Sequence, residues 1–298
     1  MRRLLRLARI LQGSLLRAGR HDCLNLAQST AYSAMVSLFP ALIVAAAVIS
    51  LVPDNTPFRF QFSAFFDRIL PPDVSPLLQG YFVDSPHSTR SSHAIIAAFI
   101  VSLLGASGVL ATLMEGVRRA NELPESCWTF VQRRLRAVLL VPLSLIPFIL
   151  ASILVVFGHF TTQWLALHIM PSARTPVYFF AILLRWVIAL TGSIGIIGLI
   201  YHLGTPMKQS WHRVLPGAIL STMLWFIATV AFGWYVTRFA NYSQVYGSLG
   251  AGIALLFWLY IISLCVLFGA EFNTEFHSRA QSRSAHSPSM PPNTLPPV

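Results

Sequence analysis

The stretch Tyr246-Gly-Ser-Leu-Gly-Ala-Gly-Ile-Ala-Leu-Leu-Phe-Trp-Leu-Tyr-Ile-Ile-Ser-Leu-Cys-Val-Leu-Phe-Gly-Ala270 carries no charged residue and stops against Glu271. A helix of about 20 residues crosses roughly 30 Å of hydrocarbon at 1.5 Å per residue, and this stretch is that long. Five others share its character, at about 31–52, 94–114, 138–158, 178–201 and 214–236. The spacing predicts an all-α membrane protein with six transmembrane helices. The bilayer then acts as the solvent, and function rests on polar groups inside or beside it.

Composition agrees. Hydrophobic residues make up 55% of the chain and charged ones 10%, with a mean hydropathy of +0.65, whereas a soluble domain carries about 25% charged residues. The net charge of +11 could suggest nucleic acid, but its distribution follows the spans. With the N-terminus inside, fifteen of the 21 Lys and Arg fall on the inner side, among them Arg2, Arg17, Arg118, Arg133, Arg134 and Arg279. Five fall outside, and Arg185 lies within a span. The positive-inside rule then predicts a multi-pass protein with both termini cytoplasmic, and no nucleic-acid partner is expected. Cys23, Cys127 and Cys265 are scattered, with no CxxC or Cys/His spacing. Neither a disulfide framework nor a metal site is expected. The first apolar run is too long for a signal-peptide core and is interrupted by Pro40, so it reads as a retained span.

Three regions follow: residues 1–30 as a cytoplasmic basic amphipathic helix, 31–276 as the six-helix membrane domain, and 277–298, rich in Ser and Pro, as a disordered cytoplasmic tail. At 100° per residue, Arg2, Arg6, Arg9, Arg17 and Arg20 fall within about 80° of one another. Leu4, Leu7, Leu11 and Leu15 lie opposite. Such a helix suits a headgroup layer above acyl chains, or packs on its own bundle. In the first outer loop, Phe58, Phe62, Phe65, Phe66, Ile69 and Leu70 form a helical stripe, with a second after Pro71-Pro72. These short interfacial helices either cap the bundle or form a vestibule for an amphiphile.

Candidate site residues sit within the spans and at their inner ends. Pro40 removes a backbone donor in mid-span and should bend or open the first helix. Arg185 lies about 10 Å below the outer end of the fourth span, where it snorkels or lines a cavity. Gly192, Gly195 and Gly198, and Gly247 and Gly250, read as helix-packing surfaces. Glu115, Arg118, Arg119, Glu271 and Asn273 gather at the inner ends of the second and sixth spans as a candidate polar cluster. That cluster is either a structural ion-pair network or a gating element.

The sixth-span stretch continues as Gly269-Ala-Glu-Phe-Asn-Thr-Glu275. With Ala31-Tyr32, Ser37-Leu38-Phe39-Pro40 and Leu215-Pro216-Gly217-Ala218, it resembles the YihY/BrkB family of bacterial inner-membrane proteins. The similarity runs from about residue 20 to 277. Many relatives carry a Tyr-Arg-x-x-Pro-Asn-like turn after the fourth span, where this chain has Tyr201-His-Leu-Gly-Thr-Pro206. The resemblance implies a six-span inner-membrane protein, with members described as virulence or serum-resistance factors. Tyr32 and Pro40, with Arg185, are the candidates for a substrate path or cavity. The family also long carried the label ribonuclease BN. The nine histidines fall on both sides of the membrane with no clustered carboxylates, so metal-dependent hydrolysis has no ligand set. No GxxxxGK[ST] loop is present for ATP-driven pumping.

The sequence therefore predicts a non-enzymatic membrane protein without a cofactor. One reading is a transporter or flippase-like handler of an amphiphile, such as an envelope lipid. The alternative is a non-transporting scaffold or envelope-integrity factor. Membrane lipids are the expected partners, and a homo-oligomer is left open.

Overall fold

The computed structural model describes residues 2–50, 89–146, 174–206, 209–239 and 248–285. The interfacial helices expected before residue 89, the second half of the third span, Gly247 and residues 286–298 lie outside them. Among the described residues there is no strand. The helices are α1 (Arg2–Arg20), α2 (Cys23–Ser50), α3 (Thr89–Ala120), α4 (130–146), α5 (Arg174–Leu203), α6 (Trp211–Phe239) and α7 (Ser248–Ala285). Five segments are long and apolar enough to cross a membrane: Cys23–Val44, Ile95–Ala120, Ile182–Leu203, Trp211–Val236 and Gly252–Arg279. The third expected span begins in α4, which is described only to residue 146.

Two boundaries differ from the sequence expectation for identifiable reasons. The amphipathic stretch over 2–20 is α1, and the region drawn on to residue 30 is cut after Arg20, because Asp22 adopts a left-handed conformation with φ 58°. Aspartate tolerates that conformation better than most side chains. The Asp22 carbonyl then accepts the first α2 bond, from the Leu26 amide at 3.0 Å. The second correction concerns the tail. α7 continues to Ala285, so residues 277–285 are helical. Arg279 Nε reaches Glu275 Oε1 at 2.5 Å, and His277 Nδ1 lies 2.7 Å from the Asn273 carbonyl, both favourable i, i+4 relations.

α3 stops by backbone geometry. Glu122 has φ 53°, its amide bonds to the Arg119 carbonyl at 2.9 Å, and the Leu123 amide bonds to the Arg118 carbonyl at 3.2 Å. This paired closure is the Schellman motif, here followed by Pro124. α2 runs through Pro40 as a single helix.

α7 is the hub, packing on α1, α2, α3 and α6, while α2 and α3 form the most extensive pair. The helices alternate in direction, so α3 and α5 end, and α7 passes, where α2, α4 and α6 begin. The buried core is concentrated there, around Met114, Val117, Tyr201, Val214 and Leu267. α5, α6 and α7 are joined by a hydroxyl knot. Tyr201 OH and Ser221 Oγ lie 2.7 Å apart, Tyr201 donates to the Val266 carbonyl, and Ser221 donates to the Cys265 carbonyl at 3.1 Å. Away from this end the helices present Phe179, Phe180, Trp186, Val187, Phe226 and Ile227 outward, as lipid contact requires.

The knot requires glycine at position 269. A Cβ there would collide with Ser221 Oγ and stand 2.7 Å from both the Gly217 carbonyl and Tyr201 OH. Gly269→Val should cost about 1–3 kcal/mol by overpacking and lower the thermal midpoint in detergent. Gly233→Ala, where nothing described lies within 4 Å of the new methyl, should leave it unchanged.

Candidate functional site

The polar residues at the α1 end form two linked carboxylate centres. Glu271 has no exposed surface. Arg17 Nε meets its Oε2 at 3.3 Å and His21 Nδ1 its Oε1 at 2.6 Å, with Cys23 Sγ 3.9 Å away. Arg17 also donates Nη2 to the Ala120 carbonyl at 2.8 Å and pairs Nη1 with Glu122 at 3.0 Å. One side chain of α1 thus ties the end of α3 to α7 at Glu271. The approach is close enough to need a glycine, since a Cβ on Gly13 would stand 2.5 Å from Glu275 Oε1.

Glu115 is the second centre. Arg118 grips it with both Nε (2.9 Å) and Nη2 (2.7 Å), Arg119 Nε reaches it at 3.0 Å, and Arg133 Nη1 from α4 at 3.0 Å. Arg118 sits one turn from Glu115 in the fork geometry that suits a carboxylate. Its remaining donors satisfy the Leu123 carbonyl, while Arg119 reaches back to the His21 carbonyl at 3.4 Å and Asp22 at 3.9 Å. Arg119 therefore bridges the two centres.

The structure brings Glu115, Arg118 and Arg119 together and joins Glu271 to them through Arg119 and the α1–α2 turn. Asn273 stands apart, its Oδ1 accepting the Gly217 amide at 3.2 Å. That bond ties α6, just after Pro216, to α7. Tyr32, Pro40 and Arg185 are not gathered. Tyr32 is 68% exposed and points away from the bundle, and Pro40 is half-buried in α2. Arg185 belongs to α5, with its side chain outside the described set. Gly198 is buried 3.5 Å from the Trp211 ring, as measured from an added Cβ, and Gly250 is buried in α7. Gly192 is half-buried, and Gly195 does not share this packing, since it is exposed with nothing described within 4 Å.

Sequence reading missed Arg17, His21 and Arg133 as partners. Ser14 and Ala18, both buried, mark the α1 face on which Arg17 and His21 also fall, and that run of small residues was the available clue. A pocket of about 240 Å³ opens between α6 and α7, lined by Phe232, Tyr235, Val236, Ile253, Ala254 and Phe257. It is apolar, and it lies toward the opposite end from the carboxylates. Among the described residues, no three His, Cys, Asp or Glu side chains converge as metal ligands.

Breaking a buried pair from one side leaves the other partner unanswered, at a cost of about 3–5 kcal/mol. Glu271→Ala should therefore destabilise far more than Glu275→Ala, whose partner Arg279 is 42% exposed and whose pair is screened by solvent. Thermal unfolding in detergent at matched purity measures the difference.

The comparisons with known proteins follow this architecture. The family model described as virulence factor BrkB matches residues 14–293. A Bacillus subtilis protein named ribonuclease-like protein YfkH is 25% identical over 87% of this chain and 92% of its own length. UPF0761 membrane proteins of Vibrio vulnificus and Alteromonas mediterranea are 27% and 26% identical, over 89% and 87% of this chain and 82% and 84% of theirs. No solved structure matches. With the family model matching nearly the whole length and several helices apolar enough to span a bilayer, the chain belongs to the BrkB virulence-factor family and is a multi-pass membrane protein.

Proposed function

We propose that the chain is a bacterial inner-membrane protein, with both termini cytoplasmic, that binds and moves an amphiphile of the envelope. The observation that carries this reading is the way α1 sits. It docks through Ser14, Arg17 and Ala18, yet Leu7, Leu11 and Leu15 on the adjoining face remain 46%, 39% and 66% exposed. A helix held sideways to a bundle with an uncovered leucine face suits burial in the acyl region beside the spans. Arginines at the same end then lie at headgroup level, where each adds attraction for anionic lipid. Tyr32 and Arg185 remain candidates on the route.

A second reading is a non-transporting scaffold. It is favoured by the Glu115 and Glu271 centres, whose oxygens are occupied by internal donors and resemble a structural tie more than a gate. Neither reading gives the chain an enzymatic step or a cofactor, and the word ribonuclease belongs to the Bacillus relative's name.

Reconstituted vesicles containing labelled phosphatidylglycerol distinguish the two. Transport predicts protein-dependent exchange of the label between leaflets. It also predicts slower exchange in a Leu7→Asp, Leu11→Asp variant of equal stability, because each leucine withdrawn from the acyl region loses about 2 kcal/mol of burial. Absence of exchange for every lipid tested, in protein that still complements an envelope defect, would establish the scaffold instead. Cysteine labelling in intact cells should place residue 125 in the cytoplasm, and labelling of it from outside would reverse the topology.

A further inference from the structure

Arg134 is displaced from the network that holds its neighbours. Arg133 pairs with Glu115, and Arg136 lies over the Trp128 ring at 4.6 Å. Arg134 turns the other way along α3. Its Nη2 donates to the Leu104 carbonyl at 2.9 Å, and its Nη1 stands 3.7 Å from the position a Cβ on Gly108 would take. Leu104 lies within the span Ile95–Ala120, and stepping back to it from Glu115 covers about 16 Å at 1.5 Å per residue. The guanidinium is therefore placed beside the middle of the apolar stretch of α3 and not at the level of Glu115, although the sequence places Arg134 on the inner side.

Its surroundings do not answer its charge. The Leu104 carbonyl already accepts from Ser107 Oγ at 2.8 Å, and among the described residues no carboxylate pairs with Arg134. A cation at this depth calls for an anion, because a backbone dipole offsets only part of its desolvation. With no Cβ, Gly108 leaves room for a methyl-sized group between Arg134 Nη1, 3.7 Å away, and Ser33 Oγ, 3.4 Å away on the α2 side. Around the opening the surface is apolar and uncovered, with Ile100, Val101 and Leu104 on α3 and Leu135 and Leu139 on α4 between 47% and 61% exposed.

We propose that Arg134, with the Gly108 opening and Ser33, is a binding site for the phosphate of an anionic phospholipid, whose acyl chains lie along the exposed faces of α3 and α4. A planar guanidinium with free donors presents a fork to two phosphate oxygens. The apolar flanks favour a lipid over a free anion. Because the site is deeper than the headgroup layer, a phosphate bound there has been drawn toward the membrane interior. The proposal rests on the amphiphile-handling reading and gives it a headgroup class. It is tested by equilibrium binding, so its failure is distinct from a failure of leaflet exchange.

The full chain in detergent is titrated with phosphatidylglycerol, with diacylglycerol lacking phosphate, or with inorganic phosphate, and binding is read by native mass spectrometry and thermal shift. Phosphatidylglycerol should bind far more tightly than diacylglycerol. Arg134→Gln should weaken it roughly tenfold or more, the worth of charge-assisted hydrogen bonds, and Arg134→Lys should recover only part. Arg238→Gln, an exposed arginine at the opposite end of α6, should bind as the parent does. If Arg134→Gln does not fold, Gly108→Leu fills the opening while keeping the arginine and should cause the same loss. Unchanged phosphatidylglycerol binding in Arg134→Gln, or in Gly108→Leu where that substitutes for it, would overturn the site. Equal binding of diacylglycerol would remove the phosphate from it, and full competition by inorganic phosphate would remove the lipid.

Discussion

A carboxylate shut away from water needs donors on both oxygens, and Glu271, where the apolar stretch of α7 gives way to its polar last third, finds them on α1 and the turn that follows it. Arg17 serves one oxygen and His21 the other. That requirement fixes much else. α1 must end within reach of α7, so the chain turns at Asp22 in a left-handed conformation. Gly13 must lack a side chain where α1 passes Glu275. The rest of the Arg17 fork then falls on the end of α3, at the Ala120 carbonyl and Glu122. Buried ion pairs contribute little net stability against well-packed apolar groups, while a broken one is costly. The Glu271 centre is therefore best understood as a device for register, which selects one docking of α1 on the bundle.

The arginines of this protein divide into two sets. Arg17, Arg118, Arg119 and Arg133 are engaged by carboxylates and hold helix ends together. Arg134, Arg136 and Arg213 have no carboxylate partner among the described residues. All lie toward one end of the bundle, which is why the charge bias along the chain resembles a topology rule. The first set needs no membrane to explain it. Arg134 in the second set does, since it lies beside exposed leucines with no anion among the described residues to meet it.

Much of the helical architecture was legible in the sequence, because a run of uncharged apolar residues longer than a bilayer has few alternatives. The bilayer-length stretch before Glu271 appears as α7, and the runs near 94–114 and 214–236 appear within α3 and α6. Helix ends were less legible. Hydropathy falls at Asn25, Gln28, Ser29 and Thr30, yet these residues are helical, since backbone bonding at Asp22 starts α2 earlier. Of the candidate polar cluster, Glu115, Arg118 and Arg119 could be anticipated from i, i+3 and i, i+4 spacing. The partners of Glu271 could not, because Arg17 and His21 are some 250 residues away in the chain. The inward turn of Arg134 was equally hidden, as it depends on the way α4 lies against Gly108.

The central claim is that α1 meets three environments at once: bundle, acyl chains and water. Single spin labels at positions along α1, in protein with Cys23, Cys127 and Cys265 replaced and reconstituted in lipid bilayers, measure this directly. Labels at 7, 11 and 15 should be accessible to oxygen and shielded from a water-soluble nickel chelate. Labels at 9 and 20 should show the reverse, and those at 14 and 18 should be shielded from both. Uniform access of the nickel chelate along α1, or shielding of 7, 11 and 15 from oxygen, would contradict the account.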